Sequence, residues 1–175
     1  MKTFIATAIF SLVAVNAAQA QCEHCVANAQ AKDGSQIECK DSTLAAYFEI
    51  QKALANDDFS GAKAVAGTLS EKVDSNTCYI DEKDCCEAIK RASTAIAAAK
   101  DVSIAREAFK TFSGALIARL DAQGDSEIAV YKMHCPMAFG NTGGTWLQDG
   151  PDLRNPYYGA MMLKCGMQQA VYGKE

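Results

Sequence analysis

"AREAFKTFSGALIARL", Ala105–Leu120, decides the fold. Its residues Ala105, Phe109, Phe112, Leu116 and Leu120 recur three or four positions apart, the spacing of one face of an α-helix. Between them stand Arg106, Glu107, Lys110 and Arg119, so the opposite face mixes both charge signs. Such a helix packs its apolar stripe into a core rather than onto an anionic membrane. Working outward, Phe59, Ala62, Ala66, Leu69 and Val73 repeat the pattern, as do Ile89, Ala92, Ile96 and Ala99. Leu44, Tyr47 and Leu54 give a looser version. No proline interrupts the chain between Gln21 and Cys135. Asn56-Asp57-Asp58 offers caps between the first two helices. Asp74–Asp84 parts the second from the third, and Lys100–Ser103 the third from the fourth. The expectation is a mostly α fold, an antiparallel four-helix bundle over about Ser42–Leu120.

Past Leu120 the composition changes. All three prolines, most of the glycines, the only tryptophan and every methionine but Met1 lie there. Gly143-Gly144, Gly150-Pro151 and Asn155-Pro156 are turn signals that a continuous helix cannot pass. A short strand is expected at Ile128–Tyr131, and a last helical turn within "YYGAMMLKCG", Tyr157–Gly166, closed by its glycine. The tail is too aromatic for a disordered linker, so it is expected to pack on the bundle as an irregular Gly/Pro/Met/Cys-rich segment. Trp146 suits that packing better than covering a cation, and Asp149, Asp152 and Arg154 suit turns and surface ion pairs.

The N-terminus has Lys2, an apolar run from Phe4 to Val15 and Ala18-Gln19-Ala20, the parts of a secretory leader. The run is shorter than the roughly 20 residues of a membrane span. The chain therefore divides into a leader at 1–20, a cysteine-containing segment at 21–41 and a helical domain at 42–175. A periplasmic or secreted protein with no membrane anchor in its mature form follows. Net charge is −4, with 17 basic against 21 acidic residues and no basic stripe, which argues against nucleic acid.

All eight cysteines lie beyond the leader. Export exposes them to an oxidising compartment, which makes Cys22, Cys25, Cys39, Cys78, Cys85 and Cys86 disulfide candidates. Sequence alone does not choose the pairing: for Cys22 and Cys25 a disulfide to Cys39 comes first and an accessory metal ligand set second, and Cys78 with Cys85 or Cys86 could close the loop between the second and third helices. "CEHC", Cys22–Cys25, is neither C-x-x-C-H nor set at a helix start in a βαβ unit, so haem attachment and thioredoxin-like chemistry are disfavoured.

The remaining cysteines sit among methionines. Met133, His134, Cys135 and Met137 fall within five positions, and Met161 and Met162 shortly precede Cys165. Thioether and thiolate favour Cu(I), and imidazole accepts copper in either state. Zinc would want more histidine than His24 and His134 supply. Two readings of Cys135 and Cys165 stand side by side: metal ligands, or a disulfide closing 29 intervening residues. Pro136 holds Cys135 in extended or turn backbone in both. No serine–histidine–acid set, paired catalytic carboxylates or phosphate loop is present, so no enzyme is expected.

"HCPMAF" (His134–Phe139), "WL" (Trp146-Leu147) and "LRNPYYGAMMLKCG" (Leu153–Gly166), with "YFEIQKALANDDFSGAKAVAGTL" (Tyr47–Leu69) upstream, resemble a bacterial periplasmic domain of unknown function. That domain occurs alone or fused to adaptor subunits of heavy-metal efflux systems. The resemblance spans about Ser42–Met167 and implies copper handling. Carried onto matching positions it points to His134, Cys135, Met137, Met162 and Cys165, with Met133 and Met161 beside them. Gln148 departs from the serine expected after "WL", and the six other cysteines fall outside the pattern. The implied function is a non-enzymatic copper-binding protein that buffers the ion, or passes it to an efflux adaptor or a metalloenzyme assembly protein. A disulfide-stapled interaction module without metal is the alternative.

Overall fold

The computed structural model describes residues 35–73, 83–124 and 126–173, with side chains from residue 42 in the first stretch and from 87 in the second. The leader, Cys22, Cys25, Cys78 and the side chains of Cys39, Cys85 and Cys86 lie outside the described residues.

Four long helices form where the periodicity places them: α1 (Ser35–Ala55), α2 (Phe59–Lys72), α3 (Lys83–Ala98) and α4 (Val102–Gln123). The first begins ahead of the Ser42 start of the periodic stretch. Their boundaries follow capping chemistry. Asp58 Oδ1 accepts the Gly61 N–H at 2.9 Å to open α2, and Asp101 Oδ1 accepts the Ile104 N–H at 3.0 Å to open α4. Gly124, at φ 73°, closes α4 by donating its N–H to the Leu120 carbonyl. Among the described residues no helix is long and apolar enough to cross a membrane.

The apolar stripes face inward as the spacing requires. Ala62, Ala66, Leu69, Ile89, Ile96, Ala105, Phe109, Phe112 and Leu116 are all buried. Tyr47 is the centre of the core, stacked on Phe109 at 4.8 Å and edge-on to Phe112 at 5.0 Å. Each such ring pair adds about 0.5–1.5 kcal/mol beyond the area it buries.

The C-terminal part is more regular than its composition suggests. A three-stranded antiparallel sheet, in the order β2-β1-β3, is built from β1 (Val130–Cys135), β2 (Gly144–Gln148) and β3 (Met167–Tyr172). The expected strand at Ile128–Tyr131 thus lies further along the chain, and two strands join it. Pro136, with no N–H to give a ladder, ends β1. The chain then turns back through Ala138–Asn141, where Phe139, Gly140 and Asn141 have left-handed φ of 53°, 66° and 68°. A bulky residue there costs about 1–2 kcal/mol. The Phe139 ring offsets this by packing 4.9 Å from Tyr157 and lying 4.5 Å beneath Lys110 Nζ.

Helix packing runs α1 on α2, α2 on α3 and α3 on α4. In a closed four-helix bundle α1 and α4 would also be full neighbours. Here their backbones come close at few points, Tyr47 of α1 bridging to Phe109 and Phe112 of α4, and β2 lies against both. The sheet is joined to the helices through polar atoms. Tyr47 Oη accepts the N–H of Leu147 at 3.0 Å and pairs with Ser113 Oγ at 2.7 Å, so a core hydroxyl caps an edge strand. Burial raises the Tyr47 phenol well above its usual 10.0, with the Tyr157 hydroxyl adding to the effect. At the far end of α4, Asp121 accepts from Lys132 Nζ at 3.1 Å and from the Tyr172 hydroxyl.

Candidate metal centre

Strand alternation sorts the sulfur-rich stretch before anything else does. Successive side chains point to opposite faces of a sheet. Tyr131, Met133 and Cys135 share one face of β1 with their β2 partners Gln148, Trp146 and Gly144. Lys132 and His134 share the other with Leu147 and Thr145. Cys135 is fully buried. His134 is half-buried, with Nδ1 at 3.0 Å from Thr145 Oγ1 and Met167 as its partner on β3.

Cys165 arrives at the Cys135 side from a distant loop. Its Sγ lies 3.4 Å from Cys135 Sγ and 3.8 Å from Met137 Sδ, and both thiols are free. Two thiols and one thioether therefore meet at the edge of the fold, with Cys135 inside, Cys165 half-buried and Met137 exposed. Among the described residues no group of three or more His, Cys, Asp or Glu side chains comes together. The donors that converge are all soft.

A polar frame holds them. Asn155, completely buried, donates from Nδ2 to the Cys165 carbonyl at 2.8 Å. Its Oδ1 accepts the Tyr157 N–H at 2.9 Å, and its own N–H donates to the Leu163 carbonyl at 2.8 Å. The Tyr158 hydroxyl donates to the Met137 carbonyl at 2.6 Å, and the Tyr157 hydroxyl to the Thr145 carbonyl at 2.6 Å. "NPYY", Asn155–Tyr158, thus binds the backbone at Cys165, at Met137 and on β2. Gly166 lets the strands close: at φ 142°, an added Cβ would stand 2.8 Å from the His134 carbonyl oxygen and 3.1 Å from the Trp146 ring. Gly144 leaves room for Tyr157, whose ring a Cβ would meet at 2.6 Å.

This frame is anchored to the helices. Arg106 of α4 donates from Nε to the Pro156 carbonyl at 2.8 Å, and from Nη2 to Asp57 Oδ1 at 2.7 Å. Asp57 Oδ2 also accepts the Ala160 N–H at 2.9 Å. Those bonds, Ala160 first and Arg106 second, hold the Asp57 carboxyl below its usual 3.8. Gln51 Nε2 donates to the Arg154 carbonyl at 2.7 Å, and Arg154 itself reaches Asn56. Gln148, the departure from the expected serine, is buried and folds the following loop: its Oε1 accepts from Trp146 Nε1 and the Arg154 N–H, and its Nε2 donates to the Asp152 carbonyl.

Of the residues singled out from sequence, the structure brings together Cys135, Cys165 and Met137. Met133 is core, 1% exposed. Met161, 80% exposed, and Met162, half-buried, occupy a 3-10 turn at Gly159–Met162, whose last carbonyl accepts the Cys165 N–H. Asn155, Tyr157 and Tyr158 carry the site's architecture. From sequence, Asn155-Pro156 reads only as a turn, because nothing local reveals that its amide reaches the Cys165 backbone.

Contact with Cys135, followed by partial burial, pushes the Cys165 thiol up from its usual 9.0. Two thiols beside a thioether are donor types that a soft metal ion takes.

Residues 43–127 match the model of a family described as a protein of unknown function, DUF3347. The matched stretch lies over the helices and ends before β1, so the sulfur cluster stands beyond it. No curated protein and no solved structure matches the chain.

Proposed function

We propose that this chain is an exported, non-enzymatic carrier of a soft monovalent metal ion, Cu(I) first, held by Cys135, Cys165 and Met137. It buffers the ion in the periplasm or outside the cell, and hands it on to an efflux adaptor or a metalloenzyme assembly protein. The observation that carries this reading is the meeting of Cys165 Sγ with Cys135 Sγ at 3.4 Å and Met137 Sδ at 3.8 Å. Three sulfurs with no carboxylate or imidazole among them select for softness. Met137 and Cys165 sit at the surface, where an ion can enter and leave. His134, on the opposite face of β1, is left out of the set.

The test is anaerobic competition against a Cu(I)-selective chelator, with the full chain kept reduced. Cys135→Ser and Cys165→Ser lose most of the retained copper. Met137→Leu loses less, and its similar volume leaves folding nearly intact. His134→Ala binds as the native protein does. Because binding displaces thiol protons, retention weakens as pH falls. Equal retention by the native protein and both serine variants rejects the site.

The same 3.4 Å contact favours a second reading, a disulfide staple without metal. Closing that loop would contribute about 3–4 kcal/mol in the loop-entropy model. Negligible copper binding, with a melting temperature that drops on reduction, selects the staple.

A further inference from the structure

We infer that Cys135 and Cys165 form a redox gate on this site: reduced, they hold the metal with Met137; joined as a disulfide, they release it. The inference rests on the metal reading above and concerns its regulation.

Three features of the geometry lead to it. First, the sulfurs are already in contact at 3.4 Å, and a disulfide bond of about 2.05 Å needs an approach of little more than one ångström. Second, the two thiols are unequal. Cys135 is fully buried, whereas Cys165 is half-buried, so an oxidant from solution meets Cys165 and leaves Cys135 to resolve the product. Third, the backbone is held independently of the sulfurs. The β1 ladder fixes Cys135, Asn155 fixes the Cys165 carbonyl and Tyr158 fixes the Met137 carbonyl. Oxidation can therefore change the donor set while the frame stays folded. Of the three donors only the Met137 thioether survives it, and one thioether does not retain the ion against a competing ligand.

The oxidant class is a small-molecule disulfide such as oxidised glutathione. The Cys165 thiolate, leaving the copper, attacks one sulfur of the oxidant, whose S–S bond breaks and expels one thiolate, which takes up a proton from water. Cys135 Sγ then attacks Cys165 Sγ in the mixed disulfide. The second oxidant thiolate leaves and likewise takes up a proton from water. Two electrons pass from the cysteine pair to the oxidant, one protein disulfide forms, and two small thiols are released. The copper stays Cu(I) throughout and transfers to an acceptor.

The experiment uses the full-length chain, loaded with Cu(I) under reducing conditions and then equilibrated in glutathione buffers of increasing oxidised fraction. Copper passed to a chromophoric Cu(I) chelator is measured, while differential alkylation and peptide mass mapping report the state of Cys135 and Cys165. The expected result is copper release in parallel with a mapped Cys135–Cys165 disulfide. Affinity should fall at least about tenfold, since losing even an outer-shell partner of a metal site costs 10–100-fold. In Cys165→Ser and, as a second variant, Cys135→Ser, whatever copper is retained no longer responds to the oxidised fraction. A mapped disulfide with unchanged copper affinity overturns the gate. So does full oxidation that leaves both thiols open to alkylation, or that pairs either one with another cysteine. A reduced protein that holds no copper rejects the metal reading itself, and the gate with it.

Discussion

The helices from Ser35 to Gln123 and the sheet-and-loop region from Val130 to Tyr172 share one apolar core but differ in how much they lean on polar contacts. The helical part uses short-range hydrogen bonds and buries side chains spaced at the helix period, many of them alanine. The C-terminal part shares that core through Val130, Trp146 and Leu147, and adds single polar side chains that reach across the chain: Gln51 to Arg154, Arg106 to Pro156, Asn155 to Cys165, Tyr158 to Met137. A hydrophobic face tolerates sliding and repacking, because dispersion and burial have little direction. A hydrogen bond to one carbonyl does not. The sulfur cluster lies in the region that is positioned by direction, which suits a site whose donors must meet within a few ångströms.

The sharpest way to break this contrast is Phe109→Ala. Phe109 is buried against Tyr47 and lies 6.2 Å from Tyr157, so it belongs to the platform on which both regions rest. Removing the ring should cost about 3–5 kcal/mol, read by urea unfolding, and the sheet should be lost in the same transition as the helices. A near-zero change would mean that the helical core does not support the tail.

Asn155→Ala should separate the two regions. It leaves the Cys165 carbonyl and the Tyr157 N–H without their partners, at about 1–3 kcal/mol for each buried group left unpaired. Amide hydrogen exchange should quicken around Cys165 and Tyr157 while α2 and α3 keep their protection. If exchange rose equally in all the helices, the polar frame would be part of the global core, and the contrast would fail.

The smallest effect is expected at the joint itself. The Asp57 carboxyl is exposed and is held below its usual 3.8 by Ala160 and Arg106. A carboxyl lowered by folding contributes stability above its unfolded value, and this is lost as pH falls through the folded value. Unfolding free energy of the native chain should therefore decline below about pH 4, and Asp57→Asn should make that decline shallower. An unchanged acid limb in the variant would show that the Asp57 contacts add nothing to docking of the tail.

The apolar stripes at Phe59–Val73, Ile89–Ala99 and Ala105–Leu120 already specified helices and their inward faces, because period and burial are local properties of the chain. The cap within Asn56-Asp57-Asp58 was legible for the same reason, since Asp58 acts on a residue three positions away; the caps at Asp101 and Gly124 are equally local but were not singled out from the sequence. Clustering of Met133, His134, Cys135, Met137, Met161, Met162 and Cys165 in the tail also marked the chemistry to look for, without saying which of them would meet. The sheet was not legible. β3 is exposed along most of its length and carries no alternation of apolar and polar residues, and its partner lies more than thirty positions back. Nor could spacing say which members of "KMHCPM" face the same way, until β1 paired and sent His134 to one side and Cys135 to the other. Tertiary structure alone decided which sulfurs meet, and it placed Asn155 and Tyr158 as the residues that hold them. Long-range pairings depend on the rest of the fold being in place, and a sequence window of helix or turn length contains only one of the two partners.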